Sequence, residues 1–316
     1  QWQGHDFSMR GMSSVESAVL SAMGHLLSFT GTDTIPAIYQ LEKSYRATGL
    51  IGASVPATEH SVMCMGEKES EIETFKRLLD LYPNGILSVV SDTWDLWKVC
   101  TEFLPQLKDQ ILTREGKLVI RPDSGDPVDI ICGLPSDKWH RSISEIPMQK
   151  GVIELLWDTF GGTVNDLGYK VLDPHIGAIY GDSITIDRAK QICERLKAKG
   201  FASSNIVFGI GSYTYQYNTR DTFGFAMKAT YGEVNGVGRE IFKDPVTDDG
   251  TKKSKKGLLG VYVKLGEKVN GPDSLVCLDQ LSWEQEKGGF LKTVFLNGEL
   301  TKETTLEEIR ERLKNA

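Results

Sequence analysis

Ile176-Gly177-Ala178-Ile179-Tyr180-Gly181-Asp182 is an apolar run without polar alternation that stops on a glycine and an aspartate. A strand with one wet face alternates, so an unbroken apolar run of this length reads as a strand buried on both faces of a parallel sheet. Three further runs have the same form. They are Ile86-Leu87-Ser88-Val89-Val90-Ser91-Asp92, Leu118-Val119-Ile120-Arg121-Pro122-Asp123-Ser124-Gly125 and Ile206-Val207-Phe208-Gly209-Ile210-Gly211-Ser212. Helical patterns lie between them, over Thr93–Leu112, 146–160 and Thr185–Lys199. Strands separated by helices of ten to fifteen residues mark βαβ units and a parallel sheet or barrel. Ligands in such folds sit beyond the carboxyl ends of the strands, so the acids and glycines that end these runs converge on one mouth.

Upstream, Ser13-Ser14-Val15-Glu16 has capping-box spacing and opens an amphipathic helix through Leu27. Pro36 opens a second helix that ends near Gly49, and Glu67–Tyr82 carries a third. Asp126-Pro127 is an N-cap followed by proline at the first helical position. After residue 225 the pattern changes. Phe225–Val234, Arg239–Phe242, Leu258–Leu265 and Gly289–Leu296 read as strands with turns and no helices between them, and Thr305–Lys314 reads as a terminal helix. The expected organisation is an α/β barrel body over 1–225 and an additional β-rich layer over 226–316. There is no internal repeat and no low-complexity tract.

The 316 residues, 40% hydrophobic and 25% charged, describe an ordinary globular chain. A formal charge of −7 argues against nucleic acid as a partner, because phosphate contacts need a basic surface. No apolar stretch approaches the ~20 residues of a membrane span, and no leader is visible, so a cytoplasmic protein is expected. Cys64, Cys100, Cys132, Cys193 and Cys277 form no CxxC pair, which fits small buried groups in a reducing compartment. Gln1-Trp2-Gln3-Gly4 starts without Met and runs straight into a motif-like segment, which predicts a processed chain or a fragment.

Arg121-Pro122-Asp123-Ser124-Gly125-Asp126-Pro127 combines a cation, a carboxylate and free backbone N–H groups at a strand end. That set suits a phosphorylated sugar; it equally suits a salt-bridged turn that caps a helix. Gly209-Ile210-Gly211-Ser212 is a glycine turn placed where barrels grip phosphate, with Arg220 downstream to cover the same anion. Asp92, Asp123 and Asp182 invite Mg²⁺, a hard cation that takes carboxylate and phosphate oxygens, although carboxylates also gather at helix caps. His60, in Pro-Ala-Thr-Glu-His-Ser, is either a structural histidine or a reactive one, with Glu59 beside it as a candidate partner. Lys243 and the cluster Lys252-Lys253-Ser254-Lys255-Lys256 are a solvated loop or a set of cations over the mouth. His5-Asp6-Phe7-Ser8-Met9-Arg10 mixes an aromatic plate with an arginine, a pairing that suits a flat ligand bearing a phosphate.

In order along the chain, HDFSMRGMSS, FTGTDT, SVPATEHS, SVVSDTWD, IRPDSGDP, IYGDSITID, FGIGS, Thr219–Asp221, IFKDPV, KKSKKG and TVFLNGELTK resemble the nicotinamide phosphoribosyltransferases of the type II phosphoribosyltransferase family. The resemblance covers nearly the whole chain. It implies an irregular TIM-like α/β barrel beside a β-rich domain, working as a homodimer with shared active sites. It implies transfer of the phosphoribosyl group of phosphoribosyl pyrophosphate to nicotinamide, giving nicotinamide mononucleotide and pyrophosphate for NAD salvage. Mg²⁺ is the implied metal, and ATP the implied stimulating co-substrate, acting through a phosphohistidine.

By the same resemblance Phe7 stacks on nicotinamide, Arg10 binds the product phosphate and Asp33 reads the carboxamide. His60 is the phosphorylated histidine. Asp92 and Asp123 bind ribose and Mg²⁺, and Arg121 contacts substrate. Asp182 binds ribose or the phosphohistidine, Gly211, Ser212 and Arg220 hold phosphate, and Lys228, Lys243 and Lys252 serve the diphosphate and nucleotide. An aspartate at position 33 accepts from an amide and repels a carboxylate, which favours nicotinamide over nicotinate. Two departures accompany the likeness. Ser212 stands where the family has glycine, and the family carries a substantial N-terminal region before HDF, which predicts that these residues are a fragment of a longer protein. The alternatives are the nicotinate-specific sister activity and a truncated, non-catalytic substrate-binding or assembly partner.

Overall fold

In the computed structural model the described residues are 1–138, 146–181, 183–219, 222, 224, 227–247, 254–266, 268 and 274–314. They fall into two compact units, Gln1–Ala229 with Phe242–Ser254, and Thr230–Ile241 with Lys255–Ala316. Among them no helix is long and apolar enough to cross a membrane.

The first unit is built on a curled sheet of six parallel strands. In chain order they are β1 (Gly4–Asp6), β2 (Gly31–Thr32), β3 (Asn84–Val90), β4 (Glu115–Arg121), β7 (Ile176–Tyr180) and β8 (Ile206–Ile210), arranged β2-β1-β8-β7-β4-β3. A short antiparallel hairpin, β5 (Gly162–Val164) and β6 (Lys170–Leu172), interrupts the alternation before β7. The segment 53–58 then links the two sheet edges. Ala53 bridges Gly31 of β2, Ala57 bridges Ser88 of β3, and Ser88 N donates to the Pro56 carbonyl at 2.9 Å. The curl is thereby carried around toward a barrel by a strand too irregular to be one.

Why the strands do not alternate is now visible. Leu87, Val89, Leu118, Ile120 and Ala178 are buried against the helical layer with Phe75, Leu104, Ile131 and Leu156. Their neighbours Ile86, Ser88, Lys117, Val119 and Ile179 line an internal cavity. The second face turns into the curl of the sheet rather than to bulk water, so both faces are mainly apolar. Each fully buried Leu or Ile contributes roughly 1.5–3 kcal/mol relative to exposure.

Backbone bonds continue past the strand ends and tie the turns into one rim. Ser91 N donates to Arg121 O (3.0 Å), Gly181 N to Pro122 O (3.0 Å), Phe7 N to Ile210 O (2.9 Å) and Asp33 N to Asp6 O (2.9 Å). The turns carrying Phe7, Asp33, Asp92, Asp123 and Gly181 are held at the same height by these bonds.

The helices follow the expected order with local differences. α1 (Val15–Leu26) is capped by Ser14 with Ser17 at the third position, one residue later than the Ser13–Glu16 spacing implied. α2 is Ile35–Tyr45, α3 is His60–Met65 and α4 is Glu71–Leu81. Asp126 caps Pro127–Cys132 by accepting from the amides of Val128 and Asp129. The helix expected over Thr93–Leu112 divides into Leu96–Lys98, a π-turn at Val99–Phe103, Leu104–Gln106 and Lys108–Leu112. Pro105 has no N–H to give, and the wider turn before it accommodates that loss. The helix expected over 146–160 breaks at Gly151, whose φ of 77° leaves the helical region.

The second unit is a set of antiparallel hairpins: β9 (Tyr231–Val234) with β10 (Val237–Glu240), β11 (Leu258–Val263) with β12 (Leu275–Leu281), and β13 (Phe295–Leu296) with β14 (Glu299–Leu300). Asn235-Gly236 and Asn297-Gly298 turn the first and last with positive φ at both residues, as tight hairpins require. Three expectations fail here, the first being the strand expected over Phe225–Val234, which among the described residues starts only at Tyr231. A helix, Trp283–Lys287, sits after β12 on a Ser282–Gln285 capping box, and the strand expected over Gly289–Leu296 is reduced to its last two residues. Leu306–Lys314 is the terminal helix.

Candidate active site

A cavity of about 510 Å³ lies within the curl of the sheet, running from residues that precede or begin the strands (Gln3, Lys117, Ile206) to Phe7, Asp33 and Ser54 by the carboxyl ends of β1 and β2. That is several times the size of one small aromatic ring, and the walls are largely apolar. Two of its features are chemically specific. The rings of His5, in β1, and Phe7, just past its end, pack with centroids 4.4 Å apart. Asp33, just after β2, receives His5 Nε2 at 2.9 Å and Ser54 Oγ at 2.6 Å, both on Oδ1. Partial burial would raise the Asp33 carboxyl, but those hydrogen bonds and the fields of His5 and Arg121 outweigh it and hold the group below its ordinary range. An ionised carboxylate only accepts, so Nε2 of His5 carries the hydrogen.

Arg121, the last residue of β4, is 4% exposed and lies with its guanidinium 5.2 Å from the Phe7 ring centroid. Its Nη2 is 3.6 Å from Glu59 Oε1 and its Nη1 donates to Thr58 O at 3.4 Å, while Nε is buried without a hydrogen-bond partner. Glu59 therefore pairs with Arg121, not with His60 as its neighbour in sequence had suggested. Asp123 lies against the same place. A Cβ on Gly181 would fall 2.8 Å from Asp123 Oδ1 and 3.0 Å from Arg121 Nε, so only glycine leaves this corner open.

Behind Asp123 is Asp92, with no exposed surface. Its Oδ2 accepts from Asp123 N (2.8 Å) and Ser124 Oγ (2.5 Å), and its Oδ1 from His60 Nε2 (3.3 Å). Burial opposes ionisation, yet the bonds from His60, Ser124 and the Asp123 amide win and hold the carboxyl below its ordinary range. Ser124 also bonds Thr247, which ties the segment 242–247 to this corner. His60, the first residue of α3, then has Nδ1 as the nitrogen with the free lone pair in its neutral form.

The remaining predicted residues divide in two. Arg10 is exposed on a short 3-10 turn (Met9–Gly11), and Lys228 is exposed. Gly211 caps the short helix Ser212–Gln216, and buried Ser212 turns its hydroxyl to Asn218 O at 2.9 Å. The amide of Lys243 donates to Ser254 Oγ at 3.3 Å. Asp182, Arg220 and Lys252 lie outside the described residues. Phe7, Asp33, Arg121 and Asp123 are thus brought together at one corner, and His60 and Asp92 adjoin it through Asp123.

Among the described residues no group of three or more His, Cys, Asp or Glu is arranged to hold a metal ion. Mg²⁺ commonly needs fewer, taking one or two carboxylates plus substrate phosphates. Asp123 is half-buried beside the orphaned Arg121 Nε and fits that description. Asp92, enclosed and accepting three hydrogen bonds, fits a ligand only if Ser124 or His60 gives way.

Sequence reasoning passed over His5, Ser54 and Ser124. Each touches a predicted acid and makes no motif of its own. For all three the available signal was their place inside segments already singled out.

A sequence profile of the Nicotinate phosphoribosyltransferase (NAPRTase) family matches residues 2–299. The chain is 57% identical to a nicotinamide phosphoribosyltransferase of Acinetobacter baylyi, over 98% of the chain and 61% of that protein. It is 47% identical to one of Mycoplasma pneumoniae, over 81% of the chain and 53% of that protein, and 36% identical to one of Xanthomonas campestris pv. campestris, over 97% and 61%. The chain spans between about half and three fifths of the length of these relatives.

Proposed function

This chain belongs to the nicotinate phosphoribosyltransferase (NAPRTase) family, and we propose that it carries the phosphoribosyl site of an enzyme that makes nicotinamide mononucleotide and pyrophosphate from nicotinamide and phosphoribosyl pyrophosphate. One observation carries the choice of substrate: an aromatic plate, Phe7, and an ionised carboxylate, Asp33, border one cavity. A pyridine ring lies against Phe7 while its carboxamide N–H₂ donates to Asp33. Nicotinate would set a carboxylate against a carboxylate in a partly buried place, which disfavours it. The names of the relatives agree with that choice.

The pyridine nitrogen attacks the anomeric carbon as the bond from that carbon to the diphosphate oxygen breaks, so positive charge grows on the ribose and negative charge on the leaving group. Asp123 faces the former, and Arg121, with one unused buried N–H, faces the latter. Asp123, with Asp92 behind it, would hold Mg²⁺, which would supply charge neutralisation for the diphosphate. Asp92 holds the Asp123 amide, Ser124 and His60 in one arrangement. ATP acts through His60: Nε2 donates to Asp92, so Nδ1 takes the γ-phosphoryl group as its bond to ADP breaks. Arg10, Gly211, Ser212 and Arg220 serve phosphate, Asp182 serves ribose or the phosphohistidine, and Lys228, Lys243 and Lys252 serve the nucleotide and diphosphate. The assembly we propose is a cytoplasmic homodimer with shared sites, without nucleic acid or membrane partners.

The test is product formation by the full-length protein from phosphoribosyl pyrophosphate and Mg²⁺, with nicotinamide and nicotinate supplied in separate reactions. Mononucleotide from nicotinamide supports the reading. Product from nicotinate alone would reverse the substrate, and no product from either would remove the activity.

A further inference from the structure

We infer that His5 and Ser54 are positioning residues for the carboxamide of the substrate: together they clamp one oxygen of Asp33 and set its carboxylate beside the Phe7 ring. The inference rests on the proposed reading of Asp33 and extends it to two residues that do not themselves contact the reacting atoms.

Both clamping bonds, 2.9 Å from His5 Nε2 and 2.6 Å from Ser54 Oγ, end on Oδ1. Two donors on one oxygen fix the plane of the carboxylate and leave Oδ2 to a third donor, which in this cavity is a ligand N–H. The bonds come from different directions in the chain. His5 is in the middle of β1, Asp33 follows β2, and Ser54 lies on the segment that bridges the sheet edges. Three pieces of backbone thus fix one side chain that is otherwise about half exposed.

His5 does a second thing. Its ring packs on Phe7 at 4.4 Å with a 31° tilt, so the plate and the acceptor are referenced to the same imidazole. Room for that ring comes from Gly31, where a Cβ would fall 2.7 Å from His5 Nδ1 and 2.9 Å from the Gly4 carbonyl. A flat ligand carrying an amide needs its ring plane and its N–H₂ satisfied at once. A fixed angle between Phe7 and Asp33 therefore lowers the ordering cost of binding it.

The experiment uses the full-length protein and steady-state kinetics with each substrate varied in turn. His5→Leu and Ser54→Ala are each expected to raise KM for nicotinamide about tenfold, the weight of one hydrogen bond to a charged group. KM for phosphoribosyl pyrophosphate and kcat stay within about twofold, because the clamp acts before the chemical step. His5→Gln keeps an N–H donor at similar reach and recovers part of the loss. The decisive arm is a cycle with Asp33→Ala. In that background Ser54→Ala should change KM for nicotinamide by less than about twofold, since its effect passes only through Asp33, and His5→Leu should keep only the smaller part that passes through Phe7. An equal effect of His5→Leu with and without Asp33 would overturn the clamp, as would unchanged nicotinamide KM in both single variants. Should His5→Leu fail to fold, Ser54→Ala, which leaves β1 untouched, decides by the same cycle. Failure of the wild-type protein to use nicotinamide would instead overturn the reading on which the clamp rests.

Discussion

Asp92→Asn separates the two jobs given to the buried pair behind the site. The wild-type carboxylate accepts from the Asp123 amide and Ser124 hydroxyl on one oxygen and from His60 Nε2 on the other. Asparagine keeps one oxygen, and it must face the amide and hydroxyl, because the Asp123 amide can only donate. Its NH₂ then faces His60 Nε2. Two donors cannot share a bond, so the imidazole changes tautomer, Nε2 accepts, and Nδ1 carries the hydrogen. Each of the two retained bonds falls from the charge-assisted range of roughly 1.5–3 kcal/mol to the neutral range of roughly 0.5–1.5 kcal/mol. Relief of burying an anion offsets part of that, leaving a net loss of about 1–2 kcal/mol.

The sign with pH follows from the depressed carboxyl. Its stabilisation is present above the unfolded value near 3.8 and is lost as pH falls through the lower folded value, so the gap between wild type and Asp92→Asn narrows in acid. Denaturant unfolding at pH 7 and pH 3 reads this gap. The ATP assay reads the tautomer: synthesis without ATP falls with the loosened Asp123 turn but stays measurable, and the fold-stimulation by ATP disappears with the Nδ1 lone pair. Undiminished ATP stimulation in a variant destabilised as expected would refute the tautomer argument. A gap independent of pH would refute the ionised, hydrogen-bonded Asp92.

Three other outcomes follow from particular contacts. Gly181→Ala places a methyl 2.8 Å from Asp123 Oδ1 and 3.0 Å from Arg121 Nε, so kcat/KM for phosphoribosyl pyrophosphate should fall at least tenfold, with little change in unfolding midpoint. Ile120→Ala opens a hole in a fully buried strand and should cost about 2–5 kcal/mol in denaturant unfolding without altering KM for either substrate. Glu71 is buried, with Oε1 lacking a hydrogen-bond partner, and burial and the nearby Asp95 push its carboxyl up to about 8. A raised carboxyl contributes stability that is full below the unfolded value near 4.5 and is lost as pH rises through about 8. Wild type should therefore lose up to about 1.4 kcal/mol per pH unit relative to Glu71→Gln across that window, measured by unfolding at several pH values.

The parallel core was legible because β3, β4, β7 and β8 are each long enough to form an apolar run. β1 and β2, three and two residues long, carry no periodicity, and the sheet holds them only through tertiary pairing. The bridging segment 53–58 contains Pro56 and joins each edge by a single bridge, so nothing local marks it as part of a sheet. The β5–β6 hairpin turns on Asn165, whose side chain accepts from the amides of Leu167 and Tyr169, a turn signal hidden between two stronger elements. The Trp283–Lys287 helix had a readable capping box, but a hairpin pattern on either side outweighed five residues. In the site, acids and arginine at strand ends declared themselves by position. Their partners did not, because a hydrogen bond such as His5 to Asp33 or Ser124 to Asp92 spans about thirty residues and leaves no local trace. Glu59 illustrates the reverse: adjacency to His60 suggested a pair, whereas the turn into α3 sends the carboxylate to Arg121.

The most direct measurement is a crystal structure of the full-length protein with nicotinamide mononucleotide bound. The expected complex has the pyridine ring against Phe7, the carboxamide nitrogen within hydrogen-bond distance of Asp33, and the ribose between Arg121 and Asp123. A nucleotide bound elsewhere on the chain, or one whose carboxamide points away from Asp33, would contradict the account.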